Sequence, residues 1–356
     1  MKTLTINDLI RDGIYFFFKE KTVSQISVCM GESLDEAGIP IFSNINLYEK
    51  PYDNHSFLFK KDINSPKDAA LILVDLSFMD NKGLEFVQLP QELISNQHKI
   101  IFISSSDISA HIVPARIVYF TNETIPFIST HENKFYRPFF NPRIPFGFGI
   151  KKADLYQVHK YQNQHFNRKR IMLRNFVNTS YQDVRHSLDL FFIPHLLENF
   201  TIDFDINYSN HYSRLSDYFF CLTYCGTYAA DPFQQKDSYF SHRYERLGKY
   251  LKNPVIFRWD SYRTGQAMAS GCIAIHLDYD ECGFKLQYPS PKNWAEYIGI
   301  SPKNIMNDIK RINQLTDQNL YEISESGKNW FIDRFSPANL SNIVIDILLN
   351  PPKYFI

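Results

Sequence analysis

The chain has 356 residues, 44% of them hydrophobic, which favours two domains over one. Lys+Arg and Asp+Glu stand at 38 each, and a zero net charge excludes the broadly basic footprint of a nucleic-acid protein while allowing a local basic patch. No apolar run approaches the ~20 residues that span a bilayer. Ile14–Phe18, followed by Lys19-Glu20-Lys21, is too short for a signal-peptide core, so a cytoplasmic chain without a transmembrane segment is expected.

The first half alternates helix-like and strand-like pieces. Val23 to Ala37 reads as a helix ended by Gly38. Ala69 to Asp75, Lys99 to Ser104 and Ala115 to Phe120 are continuous apolar runs, the pattern of parallel strands buried on both faces. Each run ends in polar residues, and in parallel α/β sheets the ligand crevice lies at those carboxyl ends. The Pro- and Gly-rich stretch Phe139 to Ile150 reads as the approach to a domain boundary, with a helix or linker from Lys151 to Phe166.

The alternation then restarts. Arg170 to Val177 is its first strand, and Gln182 to Asn199 a helix broken at Pro194. A short strand Thr201–Ile206, a short helix Tyr208–Ser216 and a strand Tyr218–Thr223 follow. Ser241 to Leu251 is helical and Pro254 to Phe257 a short strand. Pro302–Gln314 and Asn319–Phe331 are helical. Ser336-Pro337 caps a last amphipathic helix to Leu349, which packs on a domain or crosses back to the first half. Two successive βα arrays fit two doubly wound α/β domains with a cleft between them.

The most informative stretch is Trp259 to Phe284. Polar residues Asp260-Ser261-Tyr262-Arg263 enter a short helix of small residues through Ser270; Gly271 stops it, and the buried strand Cys272 to Leu277 follows. A first helical turn carrying Ser261 and Arg263 is an anion site in the making, because free N–H groups, the positive end of the helix dipole and a guanidinium fork converge there.

Asp260 to Ile275 resembles the donor-binding signature of GT-B glycosyltransferases, nearest to the exostosin-like and group-1 enzymes: a Ser or Asp, an Arg, then a carboxylate, Ala, a small residue, Gly-Cys and an apolar strand. Phe220 to Gly226 resembles the preceding strand and its Gly-containing loop. The likeness covers about half the chain, and the first half matches nothing beyond its α/β pattern. It implies two Rossmann-like domains: residues 1–150 on the acceptor side, 151–335 binding the nucleotide sugar, and a helix in 336–356. It also implies a metal-independent transferase that moves a sugar from a nucleotide-diphosphate sugar to a hydroxyl of a glycan or other acceptor. No cofactor is called for.

Carried over by position, the resemblance puts the donor diphosphate on Arg263 and Ser261, with Tyr262 beside them, and Tyr224, Gly226 and Thr227 next to the base or diphosphate. The loop with Arg174 and Asn175 touches the donor phosphates. Arg185 supports the same pocket or pairs with Asp183 or Asp189. The family carboxylate that meets the ribose is Gln266 here, a departure that motivates the alternative of a non-catalytic binding or scaffold protein on the same fold. A base for an inverting transfer is sought among Asp107, Glu123, His111 and His131, with Asp107 and Glu123 ahead because they follow buried strands most directly.

Other signals read as structural. Arg168-Lys169-Arg170 is a solvated charge run, His276 a satisfied core residue, and Asp203-Phe204-Asp205 a half-exposed edge with its carboxylates in water. The five cysteines have irregular spacings. Cys29, Cys221 and Cys272 sit in apolar runs and are expected as buried free thiols, and Cys221 and Cys225 lack the partner pair of a zinc site. Gly147-Phe148-Gly149 opens no glycine-rich helix, which argues against a dinucleotide-binding dehydrogenase.

Overall fold

The computed structural model describes residues 4–18, 21–50, 56–61, 66–76, 90–96, 99–104, 125–130, 132–134, 142–162, 168–176, 183–196, 200–204, 207–228, 256–257 and 259–356. The chain divides into two compact α/β units. The first comprises Met1–Glu132, Arg137–Ala153 and Phe335–Ile356; the second comprises Asn133–Tyr136 and Asp154–Arg334. The readings of Ala115 to Phe120 as a strand and Ser241 to Leu251 as a helix fall outside the described residues. Among the described residues no helix is long and apolar enough to cross a membrane, and all five cysteines are buried and outside any disulfide.

The strands of the first unit are β1 (Ile14–Phe18), β2 (Ile41–Ser43), β3 (Leu47–Glu49), β4 (Phe57–Lys61), β5 (Leu71–Asp75), β6 (Ile100–Ser104), β7 (Phe127–Ser129) and β8 (Arg143–Pro145). They form one sheet in the order β3-β4-β2-β1-β5-β6-β7-β8. All pairs are parallel except β3 with β4. β1 is the strand at which the order reverses. Its sequence, IYFFF, reads only as a short apolar run, yet Phe16 and Phe18 both pack on Phe59 of β4 with ring centroids 4.9 Å apart.

Helix α1 is Ile6–Asp12, and α2, Gln25–Glu36, follows β1. Ser24 caps α2 through Ser27 N, while Asp75 at the end of β5 accepts Ser27 Oγ at 2.7 Å and Ser24 N at 3.2 Å. The positive end of α2 thus already faces a carboxylate of the chain itself. The last long helix, Pro337–Leu349, is launched by Ser336-Pro337 and packs against α2. A Cβ on Gly149 would lie 3.1 Å from Leu340 Cδ2 and 3.2 Å from Cys29 Cβ, so this glycine serves close packing there.

The second unit carries β9 (Lys169–Leu173), β10 (Thr201–Asp203), β11 (Tyr218–Leu222), β12 (Thr227–Tyr228), β13 (Ile256–Phe257), β14 (Ile273–Leu277) and β15 (Ile298–Ile300). Its main sheet, β10-β9-β11-β14-β15, is parallel throughout; β12 and β13 make a small antiparallel ribbon. The order reverses at β9. Right-handed crossovers therefore place the connections before and after that reversal on opposite faces, the doubly wound α/β arrangement. β15 escaped the sequence reading because three residues, Ile298-Gly299-Ile300, are too few to show periodicity.

Helices α3 (Gln91–Ile94) and α4 (Lys152–Tyr161) precede this sheet, α5 (Asp183–Phe191) and α6 (Ile193–Leu196) join β9 to β10, and α7 (His211–Asp217) joins β10 to β11. α8 (Tyr262–Ala269) precedes β14. α7 and α8 both connect strands that step in the same direction, so they share one face and run antiparallel to the strands. Their amino ends lie at the carboxyl edge of the sheet.

Arg168 is not part of a solvated run. Its side chain is buried, and its guanidinium donates to Leu215 O at 2.8 Å, Tyr218 O at 2.7 Å and Ser270 O at 2.5 Å. These carbonyls end α7 and α8, where a cation meets the negative pole of each helix. Lys169 and Arg170 are the exposed members, and Arg170 pairs with Asp317 at 2.8 Å. Asp203 also departs from the solvated reading: it accepts Arg214 Nη1 at 3.3 Å and Tyr218 OH at 3.1 Å. Asp205 lies outside the described residues.

Removing the Arg168 clamp strands several buried carbonyls at once. Arg168→Leu is expected to lower the unfolding free energy by about 3 kcal/mol or more. Urea denaturation checks this, and a loss below about 1 kcal/mol contradicts the clamp.

Candidate ligand site at the carboxyl edge of the second sheet

In an open parallel sheet the ligand crevice opens where the strand order reverses, at the carboxyl ends. In the second unit that point lies between β9 and β11. Arg174-Asn175-Phe176 leaves β9 there, and Thr223 to Gly226 leaves β11. The amino ends of α7 and α8 bring His211 and Ser261-Tyr262-Arg263 to the same edge.

The residues divide into two clusters. In the first, Arg174 grips Asp189 of α5 with both ends of its fork, Nε to Oδ1 at 3.2 Å and Nη2 to Oδ2 at 2.5 Å, and its Nη1 donates to Phe176 O at 3.1 Å. Tyr224 OH donates to the same Asp189 at 3.2 Å. Arg185 Nε donates to Tyr224 O at 3.2 Å. The Phe176 ring lies 4.4 Å from the Arg174 guanidinium carbon and 4.6 Å from that of Arg185. Burial, reinforced by the Asp189 charge, holds the Tyr224 phenol protonated well above its ordinary range. Every guanidinium nitrogen of Arg174 is thus committed within the chain.

Gly226 has φ 131°, a conformation that L side chains rarely adopt, and its carbonyl accepts Val184 N at 3.2 Å. It turns the chain after β11 and ties that loop to α5. The backbone of Thr227 continues into β12.

In the second cluster, Ser261 is the N-cap of α8 but makes no side-chain cap bond. Arg263 Nη2 donates to Tyr208 OH at 2.5 Å, and its guanidinium carbon lies 5.9 Å from the Tyr208 ring centroid. Arg263 Nε and Thr264 Oγ1 are buried without any hydrogen-bond partner. Asp154 in the first turn of α4 accepts Tyr262 OH and Tyr212 OH. Gln266 Nε2 donates to Tyr212 OH at 2.8 Å and reaches Asp154 Oδ1 at 3.4 Å. Gln266 Oε1 lies 3.1 Å from His211 Nε2, and His211 Nδ1 lies 2.7 Å from Asn175 Nδ2. Asn175 Oδ1 is buried with no partner.

The sequence singled out Asn175, Ser261, Tyr262, Arg263 and Gln266, and these converge. Arg174, Arg185 and Tyr224 gather in the neighbouring packed cluster instead. His211, Tyr212, Tyr208 and Asp154 were not singled out. For His211 the usable signal was its place at the head of a helix that precedes a parallel strand; for Asp154 no local signal exists. Asp107, Glu123, His111 and His131 lie outside the described residues. His276 is a core residue: it is fully buried with Nε2 2.7 Å from Trp259 O. A cavity of about 500 Å³ elsewhere in this unit is lined by Trp294, which precedes β15, together with Arg311 and Glu322, and includes none of the carboxyl-edge residues.

Burial pushes the His211 pKa down from 6.5 to about 4, the bond to Gln266 opposes the shift, and Arg263 and Arg214 add to it. The folded state therefore takes up this proton only near pH 4, while the unfolded chain takes it up near 6.5. The stabilisation is complete above pH 6.5 and is lost as the pH falls towards 4. His211→Phe is expected to flatten the fall of unfolding free energy across pH 6.5 to 4 by about one proton, roughly 1.4 kcal/mol per pH unit at most. Denaturant titrations at several pH values measure it, and an unchanged slope contradicts a buried neutral His211.

No family model matches the chain, and no curated protein matches it. Among solved structures it is similar to Anabaena Alr3699/HepE in complex with UDP and glucose, at a TM-score of 0.43 and 10% sequence identity over 94% of this chain and 98% of that one. It is likewise similar to the same Anabaena protein in complex with UDP-glucose, at a TM-score of 0.42 and 10% identity over 94% and 98%.

Proposed function

We propose that the second unit binds the donor of a GT-B-type glycosyltransferase, a nucleotide-diphosphate sugar, with the diphosphate at the head of α8. One observation carries this reading: Arg263 Nε and Thr264 Oγ1, both in the first turn of α8, are buried without partners, and Ser261 leaves its cap position unbonded. The first N–H groups of a helix have no partner inside it, and the dipole favours an anion there. The several oxygens of a diphosphate would offer acceptors to these groups. The contrast with α2, whose amino end already holds the Asp75 carboxylate, supports the assignment.

In this reading the leaving diphosphate is stabilised by Arg263 and the α8 dipole, without a metal. Arg174 keeps the loop after β9 in shape instead of touching phosphate. The first unit supplies the acceptor side, and a base comes from Asp107, Glu123 or His111. The second reading, a binding protein without transfer activity, is favoured by Gln266: both ends of its carboxamide are taken by His211, Tyr212 and Asp154.

The test is thermal stabilisation by UDP, GDP, CDP and ADP, followed by turnover of the matching nucleotide sugars. At least one diphosphate is expected to stabilise the wild type, and Arg263→Ala to bind it about tenfold or more weakly, the cost of a lost charge-assisted bond. Silence of the wild type towards all four removes the reading. Binding without release of sugar or transfer selects the non-catalytic alternative.

A further inference from the structure

We infer that a one-way chain of hydrogen bonds from Asp154 to Asn175 makes Asn175 present its carboxamide oxygen to the ligand, so that the site selects a nucleotide offering a hydrogen-bond donor there, either a ribose hydroxyl or a ring N–H of the base. This rests on the nucleotide-diphosphate reading of the same site.

The chain has one possible sense. A carboxylate accepts and cannot donate, so the hydroxyls of Tyr212 and Tyr262 both donate to Asp154. The Tyr212 oxygen, its proton spent, accepts from Gln266 Nε2 at 2.8 Å. This turns Gln266 Oε1 towards His211 Nε2 at 3.1 Å, which must carry the ring proton. A neutral imidazole has a single N–H, so Nδ1 is a bare acceptor. Asn175 answers it with Nδ2 at 2.7 Å. The far end, Oδ1, is then fixed as an acceptor, buried and without a partner. Burial keeps His211 neutral at physiological pH, with Arg263 and Arg214 acting in the same direction.

An isolated asparagine could turn its amide over and serve either polarity. Asn175 cannot do so while His211 holds Nδ2. The ring of His211 is itself held between Tyr208 and Tyr212, at centroid distances of 6.3 Å and 5.1 Å. Asn175 is therefore the specificity-determining contact, and His211 is the residue that positions it. The unpartnered Arg263 Nε and Thr264 Oγ1 mark the same edge as the place of the ligand.

The test compares the affinity of UDP, GDP, CDP and ADP for the full chain with that of their 2′-deoxy and 3′-deoxy forms, and with ring-N-methylated UDP and GDP. For the nucleotide that binds, one donor-deleted form is expected to bind the wild type about tenfold more weakly, since a buried acceptor is left unmet. The deoxy and N-methyl arms tell which group supplies the donor. In Asn175→Leu the parent falls to the level of that analogue. In His211→Phe, which keeps an aromatic ring between the tyrosines but frees the amide to turn, the parent still binds and the ratio shrinks below about threefold. The inference is overturned if every analogue binds the wild type within about threefold of its parent, or if the ratio persists in both variants. Should no diphosphate bind at all, the site reading itself fails, a distinct result.

Discussion

Two tyrosine hydroxyls and a glutamine amide all point at the single carboxylate of Asp154. Because that group can only accept, every hydrogen bond behind it acquires a direction. The polarity of the hydrogen bonds along the edge is then set from Asp154. Buried polar networks of this kind are costly when a member is missing and restrictive when complete. Here the network is complete up to its last atom, Asn175 Oδ1. An incomplete end in an otherwise satisfied chain is where an external partner gains most, since the desolvation of that atom has already been met by folding.

The network needs α7 and α8 to stay in register, and the opposite edge of the sheet provides for that. Arg168 ties Leu215 O to Ser270 O, the carbonyl ends of the two helices. His211 heads α7, and Gln266, the fifth residue of α8, is joined to it. A helix fixed at one end by a buried fork and at the other by a side-chain chain has little freedom to slide. The site is therefore built on rigid elements, with geometry set by residues remote from the edge.

What the sequence made legible follows from range. The α8 segment could be read because its signals are contiguous: cap residues, small residues for close packing, Gly271 as a stop and an apolar strand. The α/β class was legible for the same reason, through runs such as Leu71–Asp75 and Ile100–Ser104 that form buried parallel strands. Pairings across long separations were not. Arg174 and Asp189 stand 15 positions apart and His211 and Gln266 stand 55 apart, and nothing local distinguishes a committed Arg from a free one. Arg168 shows the same limit in reverse: a run of three basic residues reads as surface, yet its first member is among the most engaged side chains of the unit.

The two arginines nearest the switch point illustrate what decides availability. Arg174 and Arg263 both carry a permanent charge at the carboxyl edge. Arg174 meets a carboxylate with both arms, so its charge is cancelled where it stands. Among the described residues Arg263 meets a neutral phenol oxygen and the ring that carries it. A phenol orients a guanidinium without neutralising it. The Arg263 charge itself is therefore not cancelled by the phenol, and it acts in the same sense as the helix dipole. Orientation by Tyr208 also removes part of the entropy that a long side chain loses on gripping an anion. If the proposed diphosphate binds at this edge, one cancelled and one oriented cation would direct it to a single place, which two free cations would not do.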